Sequence, residues 1–335
     1  MTGVLAFVVS LALELPIRDP EGFLGPSWLR MPLLVLGAFL GDVVPRSAWR
    51  ARRKPDQFRA SARKIVDEHW TRERIALLVI GLGSFYVTYV GYRNLKSYLP
   101  FIREGRLDPL LKDIDRALFF GGDPAIFLHQ VLGEGISAHV LSFVYLLFLP
   151  FVPISLIAWL VWSRNISFGY WYVTSLCLCW AMGAASYYAV PSLGPVFASP
   201  WLYADLDNTG VASLQDGLYY SRIDALFVDP LLDSQSTAGF ASLHVAIILC
   251  AALVAHYTVR HAAIRWSMWV FFALTVVATI YFGWHYIADD VAGALIAIAA
   301  VWLGGLATGQ KFERHGRSSH PTTSTTDVPV EQEAS

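Results

Sequence analysis

The stretch YFGWHYIADDVAGALIAIAAVWLGG (281–305) decides the class of fold, because it combines an apolar helical run with one histidine and two aspartates near its start. A helix needs about 20 largely apolar residues to cross a hydrocarbon core of about 30 Å. The rest of the chain has the same character, since 55% of its 335 residues are hydrophobic and only 15% are charged. This composition excludes an ordinary soluble domain and predicts an all-α, polytopic membrane protein.

Eight segments are candidates for membrane spans. Six are long and apolar enough to form a core, at 75–92, 138–162, 168–190, 241–259, 267–284 and 286–307. Two shorter segments, 3–16 and 30–44, carry Glu14 and Asp42, so they are also compatible with a re-entrant pair or with interfacial helices. We expect them to be spans that form an N-terminal hydrophobic hairpin over residues 1–45, which gives about eight spans in total.

The basic residues predict how the chain is oriented in the membrane. The segment 46–74 holds ten Lys and Arg residues, so the positive-inside rule places it in the cytoplasm. Alternating spans then place two long loops, 93–137 and 191–240, on the extracytoplasmic side, which we expect to be the outer side of the plasma membrane. The core is therefore 75–307, and the polar tail 308–335 is expected to be a disordered cytoplasmic segment.

Two histidines fall at the outer ends of separate spans. The motif ASLH begins one helix with Ser242 and His244, and the motif HYIADD places His285 at the same depth. His285 and Asp289 are spaced i,i+4, so they share one helix face, and the carboxylate can hold one imidazole nitrogen. Asp290 is rotated away by about 100° and is expected to pack between helices. Ionisable residues inside spans are costly, which favours a functional role for the histidine and its carboxylate.

The motifs ASLH and HYIAD resemble the second and third signatures of the type-2 phosphatidic acid phosphatase superfamily, over about residues 75–307. The resemblance implies a six-helix membrane core that acts on lipid phosphates. It implies that His285 is the nucleophile, that Asp289 orients it and that His244 protonates the leaving oxygen. It also implies that Ser242 contacts the phosphate, and that neither a metal ion nor a cofactor is needed.

The family's first signature, a lysine followed after six residues by Arg-Pro, is half present. KSYLPFIREG supplies Lys96 and Arg103 with the right gap, but Glu104 stands where the proline belongs. The third signature normally opens with Ser-Arg, and here those positions are Ala278 and Thr279. The usual phosphate-binding arginine is therefore absent.

Two other arginines are candidates to replace it, Arg93 in GYRNLKSYLP and Arg222 in YYSRIDALF. The predicted topology places both outside. A phosphate-binding site needs cationic side chains because a transferring phosphoryl group spreads negative charge over its equatorial oxygens. Each of the two arginines is equally compatible with a plain surface position.

Further motifs are similar to the inositol phosphorylceramide synthase branch of this family, namely HYIADDVAG, YYAVPSLGPVF and DRALFFGGDPAIFLHQVLG. This likeness implies transfer of a phospho-headgroup, such as phosphoinositol, from a phospholipid donor to a lipid or polyol acceptor. Water must then be kept from the phosphohistidine, and the residues between Pro191 and Phe240 suit a lid. That segment holds six aspartates able to hydrogen-bond a polyol: Asp205, Asp207, Asp216, Asp224, Asp229 and Asp233.

The first outer loop is predicted to contain an amphipathic helix, because DPLLKDIDRALFFGG spaces its apolar residues at helical intervals. We expect this helix to lie on the membrane surface. Gly121 and Gly122, followed by Asp-Pro, are expected to end it.

Other activities stay open at this point. A lipid phosphate phosphatase that hydrolyses phosphatidic acid or polyprenyl phosphates would use the same residues. A metal-dependent membrane hydrolase would use His244, His285 and Asp289 as ligands, but no third histidine or further carboxylate falls at that depth. A proton-coupled transporter would use a His–Asp relay, but this pair lies at a helix mouth. The sequence holds no nucleic-acid-binding module and leaves the oligomeric state open.

Overall fold

The computed structural model describes residues 1–19, 27–51, 55–103, 105–163, 165–227, 239–311 and 322–323. Glu104, Asp229, Asp233 and most of the tail 308–335 lie outside these residues. Within them the chain is helical, apart from one antiparallel pairing of Gln310–Lys311 (β1) with Thr322–Thr323 (β2). The predicted all-α fold is confirmed.

Fourteen α-helices are present in the described residues. They are α1 (Thr2–Leu13), α2 (Ser27–Ala51), α3 (Pro55–His69), α4 (Arg72–Ile102), α5 (Asp108–Leu118), α6 (Pro124–Leu132), α7 (Ile136–Leu146), α8 (Phe148–Ile157), α9 (Ile166–Ala189), α10 (Pro195–Ala198), α11 (Gly210–Phe227), α12 (Leu243–Thr258), α13 (Ala262–Tyr281) and α14 (Ile287–Ala307). A π-helical turn, Ala158–Trp162, continues α8, and a 3₁₀ turn, Pro200–Tyr203, precedes α11.

Five helical segments of the described chain are long and apolar enough to cross a membrane, so the protein is a multi-pass membrane protein. They are Met31–Ala51, Arg72–Ile102, Ile136–Trp162, Ala262–Tyr281 and Ile287–Ala307. Four of them correspond to predicted core spans, and the first corresponds to the predicted segment 30–44.

The other two predicted core spans, 168–190 and 241–259, form α9 and α12, which lie at the centre of the bundle. Helix α9 packs against α4, α12 and α14, and α12 packs against α13 and α14. Their inward side chains, such as Trp171, Ile247 and Ile248, are fully buried. Helix α12 has only 16 residues. Both helices are covered by neighbouring helices, so they face protein more than lipid.

The predicted N-terminal hairpin, 1–45, contains helix α1 and most of helix α2. Helix α1 has 12 residues and is about 18 Å long, so it belongs to the shorter apolar helices, and the span at 3–16 stays a prediction. Helix α1 packs chiefly against α4, whereas α2 packs chiefly against α3. Asp42 of α2 helps to fix α3 and α4 here, because its carboxylate accepts from Trp70 Nε1 at 3.1 Å and pairs with Arg46 at 3.0 Å.

The segments between the predicted spans are also largely helical. The basic segment 46–74 contains the end of α2, all of α3 and the start of α4. Helix α4 continues ten residues past the predicted end of its span at residue 92. Its start is capped by the Thr71 hydroxyl, which accepts from the backbone N–H of Arg74 at 3.3 Å.

The predicted amphipathic helix is confirmed as α5, and it packs with its acidic face inward. Asp108, Leu111 and Asp115 are buried on one face, while the apolar side chains of Leu110 and Leu118 are 54% and 56% exposed. The exposed apolar stripe suits a helix that lies at the membrane surface. The buried carboxylates contact the elements that carry the candidate site.

Candidate active site

His285 and Asp289 meet at the start of α14. The Asp289 carboxylate accepts a hydrogen bond from the backbone N–H of Tyr286 at 3.0 Å, so it caps the first turn of this helix. The same oxygen, Oδ2, lies 3.4 Å from His285 Nδ1. His285 is 7% exposed and Asp289 is fully buried. The predicted pairing of these two side chains is therefore present, although His285 itself precedes the helix.

His244 lies in the first turn of α12, beside the same region. Its ring stacks on Tyr145 with ring centroids 4.2 Å apart and contacts Phe148 with centroids 4.0 Å apart. Ser242 caps α12, since its hydroxyl accepts from the backbone N–H of Val245 at 3.4 Å. Aromatic rings thus fix the position of an imidazole that makes no hydrogen bond to any described residue.

A direct backbone contact joins α12, which carries His244, to α14, which His285 directly precedes. The N–H of Ser242 donates to the carbonyl of Asp289 at 3.0 Å. Gly293, one turn further along α14, lies against the carbonyl of Ser242, and a Cβ atom there would overlap it. Small residues at such crossings let membrane helices approach closely. The distance between His244 and His285 therefore depends on this contact.

Both histidines line one cavity of about 190 Å³, together with Arg93 and Lys96 of α4. The Lys96 Nζ lies 5.8 Å from the centroid of the Tyr187 ring. Much of the remaining lining is aromatic: Tyr89, Tyr92, Tyr145, Phe148, Trp180, Tyr187, Phe197 and Trp284. The structure thus brings together two imidazoles and two basic side chains from three separate stretches of sequence, 93–96, 244 and 285.

The remaining predicted site residues lie elsewhere. The side chain of Ser242 is fully buried and does not belong to the cavity lining. Arg103 and Arg222 line a second cavity of about 240 Å³, and Leu193 is common to both cavities. Lys96 and Arg103 therefore do not share a cavity, although the family's first signature pairs them.

The segment 191–240, predicted to be a lid, contributes part of the cavity wall. Leu193 and Phe197 line it from the start of the segment, and Leu214 and Leu218 line it from α11. Residues 228–238 lie outside the described part of the chain. Of the six aspartates in this segment, Asp207 is half-exposed and lies 3.6 Å from His139 Nε2.

Two aspartates of α5 support this site, and the sequence reasoning missed them. Asp108 Oδ1 accepts from the backbone N–H groups of Leu193 and Gly194, each at 3.0 Å. It also lies 3.3 Å from the hydroxyl of Tyr286. Asp115 accepts from the backbone N–H of Ile287 at 3.1 Å. The available signal was their seven-residue spacing, which puts both on one face of a helix.

The environment of Asp115 changes its acidity. Burial, with a smaller contribution from the nearby carboxylates of Asp289 and Asp123, raises its pKa to about 7, while the hydrogen bond from Ile287 acts in the opposite direction. Asp115 therefore titrates near neutral pH, at the N-terminus of the helix that carries Asp289.

Asp290 has a separate role, as predicted from its rotation away from His285. Its Oδ2 accepts from the Thr279 hydroxyl of α13 at 2.8 Å, and the residue is buried. This bond joins α13 to α14. Asp290 is therefore a helix-packing residue, and Thr279, at a position where the family signature has arginine, is its partner.

The described side chains do not form a site for a metal ion. Among them, no group of three or more His, Cys, Asp or Glu residues is placed to hold one. His244 contacts aromatic rings, and Asp289 is directed to His285 and to a backbone N–H.

Comparison with known proteins gives one match. A family model described as the PAP2 superfamily matches residues 110–303, which is more than half of the chain and includes His244, His285 and Asp289. No curated protein and no solved structure matches the chain.

Proposed function

Because the chain belongs to the PAP2 superfamily, we propose that it is a lipid phosphotransferase of the inositol phosphorylceramide synthase-like branch, acting through a phosphohistidine on His285. Membership in the family supports a membrane enzyme of the lipid phosphatase or phosphotransferase type. One observation carries the proposal further. His244 and His285 line the same cavity as Arg93 and Lys96.

The first step joins the donor phosphate to His285. Nδ1 faces the carboxylate of Asp289, so Nδ1–H donates to it and the lone pair on Nε2 is free to attack phosphorus. The bond between phosphorus and the diacylglycerol oxygen breaks, and the electron pair stays on that oxygen. Protonated His244 supplies the proton, so diacylglycerol leaves as a neutral alcohol and the phospho-headgroup remains on His285.

The second step reverses the roles with a different alcohol. Neutral His244 takes the proton from the hydroxyl of a lipid or polyol acceptor, and the acceptor oxygen attacks phosphorus. The bond between nitrogen and phosphorus breaks, which restores neutral His285. During both steps Arg93 and Lys96 stabilise the charge on the phosphoryl oxygens, and Asp289 stabilises the positive charge that develops on His285.

The walls of the cavity favour transfer to an alcohol over hydrolysis. Aromatic rings and the leucines of α11 surround the histidines, and an apolar wall lowers the local concentration of water around a reactive intermediate. Attack by water on the same intermediate would instead release the phospho-headgroup, whereas a phosphatase would start from a phosphomonoester such as phosphatidic acid and release inorganic phosphate. We propose phosphatidylinositol as a donor because of the motif likeness to the branch that transfers phosphoinositol.

We also propose that the active site faces the extracytoplasmic side of the plasma membrane. Helix α4 begins at Arg72, next to the basic segment, and brings Lys96 to the cavity near its other end. The basic segment favours the cytoplasm, so the cavity belongs to the opposite side.

The experiment uses purified protein in lipid with phosphatidylinositol labelled in its headgroup, a lipid alcohol acceptor and EDTA. We expect wild type to move the label to the alcohol and His285→Ala to leave it on the donor. His139→Ala, which changes an exposed histidine, is the control and should behave as wild type. Release of the label as a water-soluble inositol phosphate would indicate hydrolysis in place of transfer. Equal behaviour of wild type and His285→Ala, or loss of activity in EDTA, would contradict the proposal.

A further inference from the structure

Helix α5 presents two different exposed faces. Leu110, Ile114 and Leu118 fall within about 80° of one another on a helix of 3.6 residues per turn, and all three side chains are exposed. Asp113 and Arg116 are exposed on a separate face. One exposed side of α5 is therefore apolar, and the other is polar.

The turn that follows α5 extends the apolar surface. Phe120 is fully exposed. Its φ is 53°, and a bulky residue rarely adopts this left-handed conformation. Packing within the described chain gives no reason for a phenylalanine at this position, so the ring indicates a contact outside the chain.

Helix α6 carries apolar side chains in the same way. Phe127 and Val131 are spaced i,i+4, so they share one helix face, and both are exposed. Ile136, the first residue of α7, is exposed as well, and α7 begins the candidate span Ile136–Trp162. Exposed apolar side chains thus continue along the chain up to a membrane span.

The positions of α5 and α6 favour a lipid surface over a protein as the partner. Helix α6 contacts the end of α13, because His129 Nε2 lies 2.8 Å from the carbonyl oxygen of Tyr281. Helix α5 contacts the start of α14 through the hydrogen bond between Asp115 and Ile287. Since α13 and α14 are candidate spans, the α5–α6 segment (108–132) lies where two spans leave the membrane.

Contact with lipid also explains why the exposed faces of α5 differ. A helix at a membrane surface buries its apolar side about 5–10 Å into the boundary between headgroups and chains, and it keeps its polar side in water. Val291, in the first half of α14, is an exposed apolar residue too. The apolar face of α5 therefore lies next to a helix whose own exposed surface is apolar.

The buried face of α5 connects this surface to the active site. Asp108 accepts from the backbone N–H of Gly194, and Asp115 accepts from that of Ile287. A helix transmits displacement as a rigid element. The depth of the apolar face in the lipid therefore affects how both carboxylates meet their partners.

We propose that the α5–α6 segment docks on the outer leaflet of the bilayer, with Phe120 among the lipid chains, and that this docking holds Asp115 against the first turn of α14. The partner is the apolar part of the leaflet. The choice of leaflet rests on the proposed orientation of the protein. The docking and its effect on α14 do not depend on the proposed reaction, and neither measurement below uses enzyme activity.

The first measurement places the turn relative to the lipid. Protein with Phe120→Cys is labelled with an environment-sensitive fluorophore and reconstituted in phosphatidylcholine vesicles that contain a lipid spin-labelled on its chain. We expect the spin label to quench the fluorophore at position 120. Arg116→Cys, on the polar face of α5, is the matched control and should not be quenched. The parent protein, whose three cysteines lie within α9 and α12, supplies the blank.

The second measurement follows the effect on the active site by hydrogen exchange in the same vesicles. Phe120→Asp removes an apolar ring that is fully exposed, and aspartate adopts the left-handed conformation more readily than phenylalanine, so the packing of the protein is retained. We expect the amide of Ile287 to exchange about tenfold faster, the low end of what burial of a phenylalanine is worth. Phe120→Leu, which keeps an apolar side chain, should exchange as wild type does.

Two results of the first measurement would overturn the proposal. A fluorophore at position 120 that is exposed to water and unquenched would show that the turn does not enter the lipid. A fluorophore shielded from water but still unquenched would show that a second copy of the chain covers this surface. In the second measurement, equal exchange of Ile287 in wild type and Phe120→Asp would show that docking does not hold Asp115 in place.

Discussion

The carboxylate of Asp115 accepts a hydrogen bond from the backbone N–H of Ile287 at 3.1 Å, although the two residues are 172 positions apart in sequence. This bond joins α5 to α14. Ile287 is the first residue of α14, so the side chain of a surface helix stabilises the N-terminus of the helix that carries Asp289. The exposed N–H groups of a first helical turn favour a negative charge nearby. Through this contact α5 positions the candidate active site, although it contributes no side chain to the main cavity.

Asp115 should make the stability of the protein depend on pH. Its folded-state pKa is about 7 against an ordinary value of 3.8, so the proton is bound more tightly in the folded state. The stabilisation is complete below about pH 4 and is lost as the pH rises through about 7. We expect the melting temperature of wild type to fall over this range relative to Asp115→Asn.

Thermal unfolding in detergent between pH 4.5 and 8 measures this difference. Asp113→Asn, which changes an exposed carboxylate on the same helix, is the control and should follow wild type. Parallel curves for wild type and Asp115→Asn at every pH would show that Asp115 does not titrate in this range.

Gly293 should be intolerant of a larger side chain. A Cβ atom there overlaps the backbone carbonyl of Ser242, so Gly293→Ala must separate α12 from α14. Overpacking of this kind costs about 1–3 kcal/mol, and it moves His244 relative to His285. We expect a lower melting temperature together with a lower kcat.

Gly83→Ala is the matched control, because Gly83 is also helical and no atom lies within 4 Å of its added Cβ. It should retain the melting temperature and the activity of wild type. If Gly293→Ala were as stable and as active as Gly83→Ala, the close contact would not set the geometry of the site.

The loss of kcat/KM on replacing His244 should increase with the basicity of the leaving group. As the proposed general acid, it is needed when an alkoxide leaves and is hardly needed when a nitrophenolate leaves. His244→Ala should lower kcat/KM by about 10²-fold or more for a diacylglycerol phosphate ester, with a much smaller loss for the p-nitrophenyl ester. A loss of the same size for both substrates would mean that His244 does not donate the proton.

Replacing Lys96 should lower kcat, whereas replacing Arg103 should not. Lys96 shares a cavity with both histidines, whereas Arg103 lines the second cavity. Lys96→Gln should lower kcat by about 10²-fold, the usual cost of losing one electrostatic contact to the transition state. Arg103→Gln should leave kcat close to wild type. Equal losses in steady-state assays would mean that the two residues act together, as the family's first signature implies.

Local spacing in the sequence was enough to predict the pairing of His285 with Asp289. The i,i+4 interval predicted the pair, although His285 precedes α14 and Asp289 reaches back to it from the first turn of the helix. The pattern of spans predicted that His244 lies at the same depth. The sequence did not predict that Lys96 and Arg103 line different cavities. Their seven-residue interval returns to the same helix face two turns further on, and the sequence did not indicate that α4 continues to Ile102.

The contacts of α5 depend on tertiary packing and could not be predicted from spacing alone. Asp108 and Asp115 bind backbone N–H groups near residues 193 and 287, and such long-range partners leave no periodic signal in a single sequence. The position of α9 and α12 at the centre of the bundle could not be predicted for a related reason. Hydropathy indicates that a helix is apolar, but it does not indicate whether lipid or protein covers the helix.

The most direct test of the central claim is to trap the covalent intermediate. Phosphatidylinositol with a radioactive phosphate is mixed with the protein in EDTA without an acceptor alcohol, and the reaction is quenched with alkali before the labelled peptide is sequenced. A phosphorus–nitrogen bond predicts an alkali-stable, acid-labile label on the peptide that contains His285, absent from His285→Ala and reduced in Asp289→Asn. An active wild-type protein that never carries the label, or equal labelling of His285→Ala, would contradict the account.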